Sequence, residues 1–318
     1  MIPKISVVIP LYNKEKYIEN AINSVLSQTV ADFEIYVVND GSSDNGPNIV
    51  KSYSDSRIHL INQENQGVSV ARNHGVELAR TNIVAFLDAD DTWNANFLET
   101  ILKLHNKFPN AGLYATGTAL WLNGEIIKED IFPPADSDGR LLDTYFTEFL
   151  KAGHSILQTS ACAVSKEAFQ KIGGFSKEFR VGQDQELFGR MALYYDFAYV
   201  PIVCSNYTLA AENNADKVKH YLPIPFTVEL DSYFNREESI NHRREDVEHY
   251  IDYWNLRIGA RNIYSGYRRE GRRQLSSVIL KQHCVKKYLF MLLSYVPINF
   301  SKISPMTVRK ILHMIHLW

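Results

Sequence analysis

The chain has 318 residues, of which 45% are hydrophobic and 22% charged, with a net charge of −2. Such a composition excludes a disordered or fibrous protein and predicts two domains, or one large domain with an extension, around a core that needs no disulfides. Cys162, Cys204 and Cys284 fit neither a disulfide framework nor a zinc site, residues 1–20 lack a leader pattern, and no run of about 18 apolar residues occurs, so a cytoplasmic protein in a reducing compartment is expected.

In chain order, the first 110 residues alternate between strand and helix. "KISVVIP" is a short apolar run ended by proline, and "KEKYIENAINSVLSQ" carries apolar residues at helical spacing. "DFEIYVVND" is a second apolar run before the turn "GSSD". A helical "NGPNIVKSYS", the strand "RIHLIN", the helix "GVSVARNHGVELA" and the strand "NIVAFLD" follow. Strands separated by helices of this length imply a mainly parallel sheet with helices on both faces. In such sheets ligands bind beyond the carboxyl ends of the strands. Pro10 to Asn13, Asn39 with Asp40, and Asp88 to Asp91 all fall at such ends.

From about 111 the pattern changes. "AGLYATGTALWLNGEIIKED" predicts a hairpin turning at Asn123-Gly124, and "LLDTYFTEFLKAG" a helix. "SILQTSACAVS" reads as extended, and "KEAFQKIGGF" as a short helix stopped by paired glycines. "DQELFGRMALYY" reads as an amphipathic helix opened by Asp184. Residues 226–318 read as a helical extension to a domain spanning 1–225, itself divided near 110. From Arg257 onward, twelve Lys or Arg against the single acid Glu270 give +11, leaving −13 for the rest of the chain. Such a split points to an anionic partner, here a membrane surface, or to docking on the acidic body of the same chain. "YLFMLLSYVPINF" is too short to span a bilayer; it predicts either an interfacial segment or a core helix.

"FLDADDTWNA" places three carboxylates directly after a strand buried on both faces. Like charges this close raise one another's pKa unless a cation sits among them. Asp91, just before "TWNANFLETILKLH", is expected to cap the following helix. Asp88 and Asp90 are then available for Mn²⁺ or Mg²⁺, which take a few carboxylates together with substrate phosphates.

"SVVIPLYNKEKYIENAINSVLSQTVADFEIYVVNDGSSD", "NQGVSVARNHG" and "FLDADD" together closely resemble the nucleotide-sugar half of family 2 glycosyltransferases, which have the GT-A fold. "KIGGFSKEFRVGQDQELFGRM" resembles the acceptor-side segment of that family. The resemblance runs from about Ile5 to Tyr207 and implies an inverting transfer from a nucleotide sugar, a UDP-sugar foremost, to a saccharide or lipid-linked acceptor in surface-polysaccharide assembly. It implies that Tyr12 stacks on the base, with Pro10, Asn13 and Ala89 also lining the donor. It implies that Asp40 accepts from the base N–H, that Arg72 contacts base or diphosphate, and that Asp88 holds the ribose or a metal-bound water. Asp90 is implied as the metal ligand and Asp184 as the general base, with Glu186 in reserve.

Three departures stand out. Asn39 replaces an acid before the "GS" turn, Gln183 replaces an acid before the base, and no histidine follows "CSNYT", where only Glu212, Asn213 or His220 is near. Trp93, Trp121 and His154 are candidate sugar contacts. Rival readings are a non-catalytic subunit of the same fold and a haloacid-dehalogenase-type phosphatase. The latter normally opens its domain with the acidic strand, whereas three strand–helix units precede it here. No G-x-G-x-x-G follows the first strand, and an acidic front half does not suit nucleic acid.

Overall fold

The computed structural model describes residues 3–122, 124–131, 138–179, 182–209, 244–278 and 284–295. Two compact units divide the chain, Met1–Asn214 and Ala215–Trp318. The expected boundary near 225 lies outside the described residues.

In the first unit, strands β1 (Ile5–Leu11), β2 (Phe33–Asp40), β3 (Ile58–Gln63) and β4 (Ile83–Phe86) pair in parallel in the order β3-β2-β1-β4. Three helices follow the first three strands: α1 (Ile18–Leu26), α2 (Gly46–Lys51) and α3 (Val68–Leu78). The apolar runs of β1, β2 and β4 are buried on both faces because the side-chain period of two sends alternate residues to opposite layers, while β3 at the edge is only half-buried. Val7, Ile9, Ile35, Val37 and Ala85 face a core shared with Ile18, Ile22 and Val25 of α1. On the other face α3 comes so near β1 that a Cβ at Gly75 would stand 2.4 Å from Val8 Cγ1. Phe86 there packs edge-on against Phe175.

Beyond β4 the sheet turns mixed. A two-residue strand β5 (Thr92–Trp93) precedes α4 (Phe97–Lys107), and β6 (Leu113–Leu122) pairs antiparallel with β7 (Glu125–Asp130). Gly124 sits at φ 87° between them; Asn123 lies outside the described residues. β8 (Arg140–Leu141) leads to α5 (Tyr145–Ala152), which is capped by the Thr144 hydroxyl at its start and by left-handed Gly153 at its end. A 3₁₀ turn, Thr159–Ala161, interrupts the expected extended segment before β9 (Cys162–Ser165), which lies antiparallel between β4 and β6. α6 (Lys166–Lys171) stops at Gly173 and Gly174, both at positive φ. α7 (Gln183–Ala192) and β10 (Phe197–Thr208) complete the unit, β10 pairing with β6, β5 and β8. Contrary to the amphipathic pattern expected, α7 is buried on nearly every side from Gln185 to Ala192.

The described part of the second unit is helical: α8 (Arg244–Tyr264), α9 (Arg268–Ser276) and α10 (Cys284–Leu293). Leu256, Ala260, Ile263, Leu275 and Phe290 form its core. Among the described residues no helix is long and apolar enough to cross a membrane, and Cys162 and Cys204 are free and buried.

Candidate active site

The carboxyl ends of β1, β2 and β4 lie side by side, so the loops after them meet. The loop after β1 is stitched to the one after β2 by reciprocal bonds. Ser43 N donates to Asn13 Oδ1 at 2.8 Å, Glu15 N donates to Asp44 Oδ2 at 2.8 Å, and Asn45 N donates to Glu15 Oε2 at 2.9 Å. Asn13 has φ 50°, the one non-glycine at positive φ among the described residues, a conformation that asparagine tolerates better than most residues. Tyr12 beside it is 48% exposed, as a stacking surface has to be. Pro10 is half-buried within β1, paired with Val38.

Asn39 uses its amide on both sides, donating to Asn62 Oδ1 at 2.9 Å and accepting from Ser42 N at 3.0 Å. The Asn39 oxygen holds the turn, as a carboxylate oxygen could, and the amide adds the donor that reaches Asn62. Asp40 is buried and takes three donors: Gln63 Nε2 at 2.8 Å, Gln66 N at 2.9 Å and Gly67 N at 2.8 Å. Gln63 ends β3, and Gln66 and Gly67 belong to the connection from β3 to α3. Asp40 thus orders the loop "NQG", a role beyond the base contact that the resemblance implies.

After β4 the three acids have three different environments. The Arg72 guanidinium, buried on α3 against the Phe175 ring, donates to Asp88 Oδ1. Arg72 Nε and Nη1 are also buried and find no acceptor. Arg72 is therefore not a solvated surface arginine; it holds Asp88 and keeps two N–H groups without an acceptor. Asp90 meets a different cation, with Lys14 Nζ 2.6 Å from its Oδ2. Burial and the nearby Asp88 charge push the Asp90 carboxyl above its ordinary value, and Lys14 works against that rise. Lys14 went unrecognised in the sequence as a partner of the acidic cluster.

Asp91 is the correction. The helix that it was expected to cap begins only at Phe97, with Asn96 at the N-cap position. Asp91 turns inward instead, accepting from Ser160 Oγ at 2.6 Å and from Thr208 N at 2.9 Å. Enclosure, with Asp88 and Asp90 nearby, raises its pKa well above the usual carboxylate range. Ser160 also accepts from Asp88 N at 3.1 Å, and its carbonyl accepts from Trp93 Nε1 at 2.6 Å. Trp93, stacked on Phe97 at 4.0 Å, is packing and not a sugar contact. Ala89 is buried in the core, so its side chain offers no donor surface. Its place between Asp88 and Asp90 separates their carboxylates.

Asp184 lies in the first turn of α7, half-buried, with Gly182 at the N-cap. Its Oδ1 accepts from Gln185 N at 2.8 Å. Gln185 is anchored by Ser155 at 2.7 Å and by the Tyr145 hydroxyl at 3.1 Å. The Asp184 charge also helps raise the buried Cys162 thiol. Residues 155–162 therefore connect the acidic loop, through Ser160, to the Asp184 turn. Glu186, the reserve candidate, is fully buried and paired with Arg190, which also holds the carbonyls of Ile172 and Gly174. That pairing commits Glu186 to structure. Trp121 Nε1 bonds Asn206, and His154 is exposed beside Ser155. Glu212, Asn213 and His220 lie outside the described residues.

No three His, Cys, Asp or Glu side chains among the described residues gather as a ready metal cage. The donor set still suits a hard divalent cation. Asp88 and Asp90 offer carboxylate oxygens, and the raised Asp90 carboxyl is relieved by positive charge. Two carboxylates leave most of such a shell to phosphate oxygens and water.

The fold has known counterparts. The glycosyl transferase family 2 model matches residues 6–173. The uncharacterized glycosyltransferase EpsJ of Bacillus subtilis is 34% identical over 48% of this chain and 44% of its own. Chondroitin synthase of Pasteurella multocida is 26% identical over 83% of this chain and 26% of its own. The chain spans half or less of the length of these relatives. Among solved structures, residues 1–349 of S. aureus TarS in complex with UDP-GlcNAc align at TM-score 0.64 and 19% identity, over 98% of this chain and 87% of that one. The mixed, mainly parallel sheet with flanking helices is thus the GT-A fold, and the chain belongs to glycosyl transferase family 2.

Proposed function

We propose that the chain moves a sugar from a nucleotide donor, a UDP-sugar, to a saccharide or lipid-linked saccharide acceptor, with inversion at the anomeric carbon. The observation that carries this reading is the pair Asp88 and Asp90 at the carboxyl end of β4, each held by its own cation, with the exposed Tyr12 following the neighbouring strand β1. TarS with UDP-GlcNAc and chondroitin synthase, by their names, support a donor and a product of this class.

Each residue has a part in this reading. Tyr12 stacks on the base, and Asp40 both holds the "NQG" loop and accepts from the base N–H. Arg72 fixes the orientation of Asp88 toward the ribose. Asp90, with Asp88, would hold the Mn²⁺ or Mg²⁺ whose Lewis acidity stabilises the departing diphosphate. Asp184 takes the proton of the acceptor hydroxyl as its oxygen bonds the anomeric carbon and the bond to the diphosphate oxygen breaks. The Gln185 contacts fix the carboxylate in the position that this late proton transfer requires. A lipid-linked acceptor places the enzyme at the inner face of a membrane, reached through its basic C-terminal region.

A screen of nucleotide sugars by thermal shift with Mn²⁺ tests the donor assignment, since only a ligand of the native state raises the melting temperature. Nucleoside diphosphate release with the donor that shifts it then tests transfer. A chain that binds no nucleotide sugar contradicts the proposal, and one that binds without turnover is the non-catalytic subunit.

A further inference from the structure

Helix α10 is apolar on both of its sides. One side belongs to the core of the second unit, where Phe290 joins Leu256, Ala260, Ile263 and Leu275, with Met291 and Leu293 packed against them. The other side is Val285, Tyr288, Leu289 and Leu292, continued by Tyr295 just past the helix end, and all five are exposed. Their spacing follows one stripe of a 3.6-residue helix. Val285 is 78% exposed and Leu292 68%. Scattered apolar residues on a surface need no explanation, but a contiguous stripe marks an interaction site.

The surroundings of the stripe say what covers it. Arg272 of α9 lies 4.8 Å from the Tyr295 ring and donates to Ser294 Oγ at 3.3 Å, so α9 borders the end of the stripe. Lys287 Nζ lies 5.9 Å from the Tyr288 ring and donates to the Val278 carbonyl at 2.7 Å, tying α10 to the end of α9. Across α9 and α10 six Arg or Lys, at 268, 269, 272, 273, 286 and 287, face one acid, Glu270. A protein groove would need acids to match these cations residue by residue. An anionic lipid surface needs only headgroup charge beside an apolar layer, with tyrosines at the boundary.

We propose that helix α10 lies flat on an anionic bilayer, with Val285, Leu289 and Leu292 in the acyl boundary and Tyr288 and Tyr295 at headgroup level. The arginines of α9, together with Lys286, meet the lipid phosphates. This deepens, and rests on, the reading of a membrane-borne acceptor, and assigns the contact to one helix face.

The test is sedimentation of the full chain with vesicles of POPC containing POPG, and of POPC alone, with no substrate present. Wild type sediments with the POPG vesicles only, less so as salt rises. Val285→Glu with Leu292→Glu lowers the partition coefficient at least about tenfold, and the uncharged pair Val285→Ser with Leu292→Ser also weakens it clearly. Both pairs keep the wild-type melting temperature, because the side chains leave no core contact. The proposal is overturned if wild type ignores POPG vesicles, or if both variants bind as wild type does. It is also overturned if light scattering shows wild-type dimers that the variants lose, since the stripe then joins two copies of the chain. Transfer to a soluble acceptor is read separately. Its failure with vesicle binding intact removes the glycosyltransferase reading alone, and the converse removes only the assignment of α10.

Discussion

Lys14 Nζ stands 2.6 Å from Asp90 Oδ2, and both side chains are largely enclosed. The carboxylate proposed to bind a metal therefore already has a cation from its own chain. Arg72 does the same for Asp88. Without a donor, a divalent ion has to compete with Lys14, and diphosphate oxygens tip that competition by completing the ion's shell. Lys14→Met is expected to tighten Mn²⁺ binding about tenfold in the absence of nucleotide, as removal of a close like charge predicts. Electron paramagnetic resonance titration of free Mn²⁺ measures this. Unchanged affinity would place the ion away from Asp90.

Asp90→Ala removes the proposed ligand. Turnover that depends on added Mn²⁺ is expected to fall to background, while the chain still folds, with a somewhat lower melting temperature because Lys14 loses its enclosed partner. Full activity in this variant would remove the metal assignment.

Asp40 ties down the amides of Gln66 and Gly67. Asp40→Ala is predicted to speed hydrogen exchange at both amides at least about tenfold, the equivalent of losing a charge-assisted bond of about 1.5 kcal/mol. KM for the donor should rise with it. Unchanged protection at these two amides would mean that the loop is held by other contacts.

Glu34 gives the pH dependence. Burial pushes this carboxyl up, but the Ser6 hydroxyl, the Arg80 backbone N–H and the Arg80 guanidinium outweigh it and hold the pKa below the ordinary value. A depressed carboxyl adds stability above its unfolded pKa, and that stability is lost as pH falls through the folded pKa. Glu34→Gln should therefore cost about 2 kcal/mol at pH 7, and much less once pH is well below about 4. Denaturant melts across that range measure the difference. A constant gap between the two proteins would show that ionisation is not its source.

The legibility of the chain follows sequence distance. The four parallel strands and their helices were readable because period and turn signals act within a few residues. The polar strand ends were readable because the α/β layout brings those ends together. Asp91 was misread for the same local reason: an acid just before an apolar run resembles a cap, and its partners Ser160 and Thr208 are 69 and 117 residues away. Lys14 lies 76 residues from Asp90, inside a stretch that reads as an ordinary helix start. Glu186 looked like a spare base until its pairing with Arg190 appeared, although the i, i+4 spacing in α7 was a signal that could have found it.

The central claim is that Asp184 removes the acceptor proton while the Asp88–Asp90 loop holds the donor. The most direct measurement compares donor Kd with single-turnover transfer rate in Asp184→Asn. The account predicts a Kd within about threefold of wild type, and a transfer rate lower by about a hundredfold or more, the range of general-base catalysis. Equal loss of binding and transfer, or transfer at the wild-type rate, would contradict it.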